Sequence, residues 1–168
     1  MKKVSGFLIL IAIGSLIGCY KEVSFDVKPV IEFKELRKII VLDAFSQSKK
    51  DSLILSIKFQ DGDGDLGLDT RDSVLKKQGF NYIVKPFRKR RGVFVEFPND
   101  GVTYSGYFIR LKTDGKPGPI EGTLDYSVDF LQDFVQKKDT VKFQVTIRDR
   151  AGNLSNTVES SNIILNEF

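Results

Sequence analysis

The chain has 168 residues, with 26 Lys and Arg against 22 Asp and Glu, one Cys, no Trp and no His. The missing histidine excludes Ser-His-Asp and Cys-His catalysis, histidine-bound zinc and any histidine pH switch. Lys2 and Lys3 supply two of the net four positive charges, so the remainder is nearly neutral and its basic pI is no argument for a nucleic-acid partner.

In chain order, the positive start at Lys2 and Lys3 is followed by an apolar stretch over residues 7–13, then Gly14, Ser15 and Leu16-Ile17-Gly18-Cys19. That is the order of a secretory signal, and its apolar part falls short of the roughly 20 residues that span a bilayer. Leu16-Ile17-Gly18-Cys19 resembles the lipobox of bacterial lipoproteins. The resemblance implies cleavage after Gly18 and a covalent lipid on Cys19, where several acyl chains on one residue anchor a protein stably. A buried thiol at the end of an uncleaved helix is the competing reading of Cys19. Charge directly behind it, in Tyr20-Lys21-Glu22, resembles surface-export signals of some Gram-negative lipoproteins. The expected location is the cell envelope, anchored by lipid to the outer membrane, on its periplasmic or surface side. With Cys19 lipidated, no cysteine is left for a disulfide or a thiolate.

The expected organisation is a signal peptide over 1–18, a membrane-tethering spacer over 19–30 and one domain over 31–168. Removing 18 residues leaves 150, enough for one sizeable core and too few for two. Residues 52–60 alternate, with Leu53, Leu55, Ile57 and Phe59 on one face, as a half-buried strand does. Residues 104–112 read the same way through Tyr107, Ile109 and Leu111. Residues 122–130 do so through Leu124, Tyr126, Val128 and Phe130, and residues 141–147 through Val141, Phe143, Val145 and Ile147. Residues 36–42 fit a strand or a short helix, and residues 156–165 a last strand. Turn signals lie at Gly79, Gly92, Pro98-Asn99-Asp100-Gly101, residues 114–119 and Ala151-Gly152-Asn153. Short strands punctuated in this way predict an all-β fold, a single antiparallel immunoglobulin-like β-sandwich after a cleaved signal peptide.

Residues 61–72 are rich in carboxylates: Asp61, Asp63 and Asp65 alternate with glycine, and Asp69 and Asp72 follow. Three carboxylates this close repel one another, and the intervening glycines let them converge on one hard cation, for which calcium is suited by its tolerance of six to eight oxygens. The loop resembles the Asp-x-Asp-x-Asp-Gly calcium loops of EF-hands, dockerins and integrin-type repeats. On that resemblance Asp61, Asp63, Asp65, Asp69 and Asp72 take the first, third, fifth, ninth and twelfth ligand positions, with Leu66 where a glycine is usual. The alternative is an ordinary Asp-Gly turn without an ion. Residues 149–156 resemble the Asp-x-Ala-Gly-Asn-x-Ser hairpin of bacterial immunoglobulin-like surface modules. In such a sandwich the two loops share one end, so Asp149 or Asn153 is expected to add a ligand.

The basic run over residues 85–91 fits either contact with lipopolysaccharide phosphates and acidic glycans or a solvated hairpin tip. Asp51-Ser52-Leu53, Asp72-Ser73-Val74 and Asp139-Thr140-Val141 resemble a short bacterial O-glycosylation sequon. The functional expectation is a calcium-stabilised binding, adhesion or scaffold module of the envelope, not an enzyme, with the membrane and an envelope protein or glycan as partners. Alternatives are a subunit of an outer-membrane secretion or motility assembly, and a carboxylate-based glycan-active enzyme or its glycan-binding partner.

Overall fold

The rows of alternating apolar residues become two antiparallel sheets packed face to face. The computed structural model describes residues 24–45, 47–69, 77, 79–97 and 102–167; the signal segment, Cys19 and Asp72 lie outside the described residues. Strands β1 (Val30–Leu42), β2 (Lys49–Asp61) and β5 (Ile120–Leu131) form one sheet in the order β1-β2-β5. Strands β3 (Tyr82–Arg90), β4 (Val93–Glu96), β6 (Asp139–Ile147) and β7 (Val158–Glu159) form the other in the order β4-β3-β6-β7, and β8 (Ile163–Leu165) also pairs with β6. Two antiparallel sheets packed in this way make an all-β sandwich. Among the described residues the single helical element is a 3-10 turn, Gln132–Phe134, and no helix is long and apolar enough to cross a membrane.

Strands β2 and β6 carry the core. Leu53, Leu55 and Ile57 from β2 and Val141, Phe143, Val145 and Ile147 from β6 have no exposed surface. Both inward rows end in aspartate: Asp51 and Asp61 bracket that of β2, while Asp139 and Asp149 bracket that of β6, and all four are buried. A buried carboxylate is tolerated only with partners. Asp51 accepts from Gln132 Nε2 at 2.8 Å and from the Asn166 amide at 2.6 Å. Asp139 is held by Arg88 Nε at 2.6 Å and by Arg90 Nη1 at 2.9 Å. Asp149 accepts from the Asn153 amide and from Asn153 Nδ2, each at 2.7 Å. Asp61 differs in that its Oδ1 has no hydrogen-bond partner among the described residues.

Strand β5 faces the core through Leu124, Val128 and Phe130 as expected, and residues 36–42 prove to be the second half of β1. Residues 104–112 depart from expectation. They form only single bridges, Gly106 to Tyr82 and Ile109 to Leu68, and the buried residue is Phe108, while Tyr107 and Ile109 are 41% and 70% exposed. The cause is Asn81, whose buried side chain donates to the Phe108 carbonyl at 3.0 Å and accepts from its amide at 2.9 Å. One side-chain amide thus replaces a neighbouring strand and draws the even-numbered residue inward. The expected last strand is also divided. Ser160 Oγ accepts from the Phe143 amide at 2.9 Å, filling the position between β7 and β8.

Within the expected spacer, Pro29 is buried and the Asp26 carbonyl accepts from the Gly62 amide at 2.8 Å. The chain therefore passes beside the acidic loop before β1 begins. The basic run forms the end of β3 and the turn at Arg91-Gly92. Arg88 and Arg90 are drawn out of it to neutralise Asp139.

Candidate metal centre

Asp61 closes the inward row of β2, which points its carboxylate beneath one end of the sandwich. Its Oδ2 accepts from the Asp65 amide at 2.9 Å, curling the loop back on itself. Gly64, at φ +72°, allows that curl, and a Cβ there would meet the Gly118 carbonyl and the Lys112 side chain. The Asp63 carbonyl accepts from the Gly118 amide at 3.0 Å. Three neighbouring segments, around residues 26, 118 and 150, thus hold the loop from outside.

The last hairpin supplies the third of these supports. Ala151 donates to Asp65 Oδ2 at 3.0 Å, Arg150 donates to the Asp65 carbonyl at 3.4 Å, and Leu66 bridges to Asp149. The two loops expected at one end of the fold do meet. Leu66, where an EF-hand loop has glycine, is fully buried. The left-handed turn falls one residue later, on Gly67 at φ +86°, where a Cβ would strike the Ile109 backbone. Leu66 is thus a core position, and a strand enters the loop where an EF-hand has a helix.

One carboxylate oxygen from each of Asp61, Asp63 and Asp65 lies within 4.8 Å of the others. Two oxygens bound to one calcium at about 2.4 Å are at most about 4.8 Å apart, so the spacing fits a shared ion. In each of the three residues Oδ1 is buried and has no hydrogen-bond partner among the described residues. Burial, with the Asp63 charge next, pushes the Asp61 carboxyl up to about 6, and the Asp65 amide only partly opposes this. Asp65 is raised by burial and then by Asp149 and Asp63, against the Ala151 amide and Arg150. Such a group of anions, each with one buried oxygen left open, is stabilised by a proton or by a hard cation.

The other expected ligands are placed differently. Asp149 is close enough for its charge to raise Asp61 and Asp65, and each of its oxygens accepts one bond from Asn153, from the amide and from Nδ2. Asp69 stands outside the three-carboxylate group. The sequence reading missed the basic rim. Arg110, Lys112, Lys116 and Arg150 border a cavity of about 230 Å³ whose wall includes Asp63 and Asp65. The signal available was the Asp-Gly-Lys-Pro-Gly turn, read only as a turn.

Comparison with protein-family models finds no match, and comparisons with curated proteins and with solved structures find none either.

Proposed function

We propose that the protein is a lipid-anchored envelope lipoprotein whose β-sandwich is stabilised at one end by calcium and serves as a binding, adhesion or scaffold module. The observation that carries the metal reading is the set of three buried, unpartnered Oδ1 atoms on Asp61, Asp63 and Asp65. Of the four aspartates that end the core rows, Asp51 and Asp149 accept a hydrogen bond on each oxygen and Asp139 is paired with Arg88 and Arg90. The fourth, Asp61, keeps one open toward two further carboxylates. Oxygen-only ligands favour a hard cation, and calcium is preferred over magnesium because its coordination is the more tolerant of irregular geometry. Anchoring is supported by the charged start, the apolar stretch and the lipobox-like Leu16-Ile17-Gly18-Cys19.

Two experiments test the two halves separately. Thermal melting of the chain in EDTA, magnesium and calcium should give the highest Tm in calcium, and identical curves would remove the metal. Cells fed labelled palmitate should incorporate it into the wild-type chain and not into Cys19→Ser, and equal labelling would remove the anchor.

A further inference from the structure

We infer that the pocket bordered by Arg110, Lys116 and Arg150 binds a sugar carboxylate, a uronic acid residue, in a calcium-dependent manner. This rests on the calcium reading of the acidic loop and names a ligand for the same end of the fold. Asp61 has no exposed surface, and its Oδ1, like those of Asp63 and Asp65, lacks a partner. That buried, open oxygen points to a cation independently of the acidic composition of the loop. Asp63 and Asp65 belong both to the carboxylate group and to the cavity wall, so the cation and the pocket share two residues.

Charge then selects the ligand. Lys112 lies 3.7 Å from Asp114, and Arg150 Nη1 donates to the Gly67 carbonyl at 3.3 Å. Arg110 and Lys116 are exposed, and their side chains have no ion-pair or hydrogen-bond partner among the described residues. Arg110, Lys116 and Arg150 stand against Asp61, Asp63, Asp65 and Asp149, and two added positive charges turn this balance in favour of an anion. Guanidinium groups suit a planar carboxylate, and calcium accepts hydroxyl oxygens that would complete its coordination. At about 230 Å³ the cavity is smaller than the roughly 300–1,000 Å³ of sites that enclose drug-sized ligands, which suits a single ring. Apart from glycine, Pro117 is its one uncharged lining residue, so it offers no apolar anchor of the kind that fixes a peptide side chain.

The test is isothermal titration of the full chain in detergent with glucuronic acid, in calcium and in EDTA, with glucose and an acetylated aspartate amide as comparison ligands. Glucuronic acid should bind in calcium and weaken at least about tenfold in EDTA, the scale of one charge-assisted contact. Glucose and the aspartate amide should bind more weakly. The double variant Arg110→Glu with Lys116→Glu, at exposed positions, should lose the sugar acid about tenfold while keeping its calcium-dependent melting shift. Binding unaffected by EDTA, equal binding of glucose or the aspartate amide, or an unaffected double variant would overturn the inference. If calcium raises the Tm and glucuronic acid does not bind, the inference alone falls. If calcium leaves the Tm unchanged, the metal reading falls first.

Discussion

The Ala151 amide donates to Asp65 Oδ2 across 3.0 Å, joining residues 86 positions apart. Beside it, Leu66 bridges to Asp149. The loop that leaves β2 is therefore shaped by the hairpin that leaves β6, and the three carboxylates converge because two sheets hold them from opposite sides. A metal bound there would be linked to folding of the sandwich as a whole.

Substitution at the loop should change sign with calcium. In EDTA, Asp61→Asn and Asp63→Asn each remove one of three mutually repelling anions, so each variant should melt no lower than wild type. In calcium at about 100-fold over Kd, binding contributes about 2.7 kcal/mol, or roughly 5–10 °C in Tm for a domain of this size, and both variants should lose most of it. Paired melts in the two conditions check this, and a Tm loss already complete in EDTA would assign these residues a purely structural role.

The pH dependence follows from Asp61, whose carboxyl is raised from 3.8 to about 6. A folded value above the unfolded one means that protonation favours the fold. Its contribution is fully present below about 4 and is lost as pH rises through about 6. In EDTA, stability should therefore increase as pH falls from 7 to 5. In calcium the trend should reverse over the same interval, because protons compete for the ligand oxygens. Denaturant midpoints measured at several pH values with and without calcium would show the crossing.

Gly67 and Gly92 separate backbone strain from steric overlap. Both are left-handed, at φ +86° and +87°, but a Cβ at Gly67 meets the Ile109 backbone whereas nothing lies within 4 Å at Gly92. Gly92→Ala should cost about 1 kcal/mol, the strain alone, and Gly67→Ala at least about 2–3 kcal/mol more because backbone must shift. Equal costs in urea unfolding would mean that the loop relaxes freely around residue 67.

Legibility of the sequence followed the range of the interactions involved. Alternation of Leu53 to Phe59 and of Val141 to Ile147 revealed the two central strands, because a two-residue period needs only local pattern. The same pattern misread residues 104–112, where Asn81, 27 positions away from Phe108, decides which residue turns inward. Asp61, Asp63 and Asp65 were legible as a group because they are neighbours in sequence. The row-end aspartates were not read as a set: Asp51 and Asp139 are satisfied by Gln132 and by Arg88 with Arg90, contacts that spacing along the chain does not reveal. The basic rim was hidden for the same reason, since Arg110 and Arg150 meet only through the fold.

Two ion pairs of similar length should differ widely in what they contribute. Lys50 Nζ lies 2.7 Å from Asp129, with side chains 29% and 45% exposed, and Arg88 Nε lies 2.6 Å from Asp139, whose side chain has no exposed surface. In the first pair water screens both charges, so Asp129→Ala should cost under about 1 kcal/mol, and salt should erase most of that. In the second, Asp139→Ala leaves Arg88 and Arg90 facing each other without their shared anion and should cost about 3–5 kcal/mol. Because the Asp139 carboxylate is enclosed, its pairing should also persist in high salt. Urea unfolding of both variants at low and high salt checks the contrast, and a salt-sensitive Asp139 or a costly Asp129 would show that distance, not burial, sets the strength of these pairs.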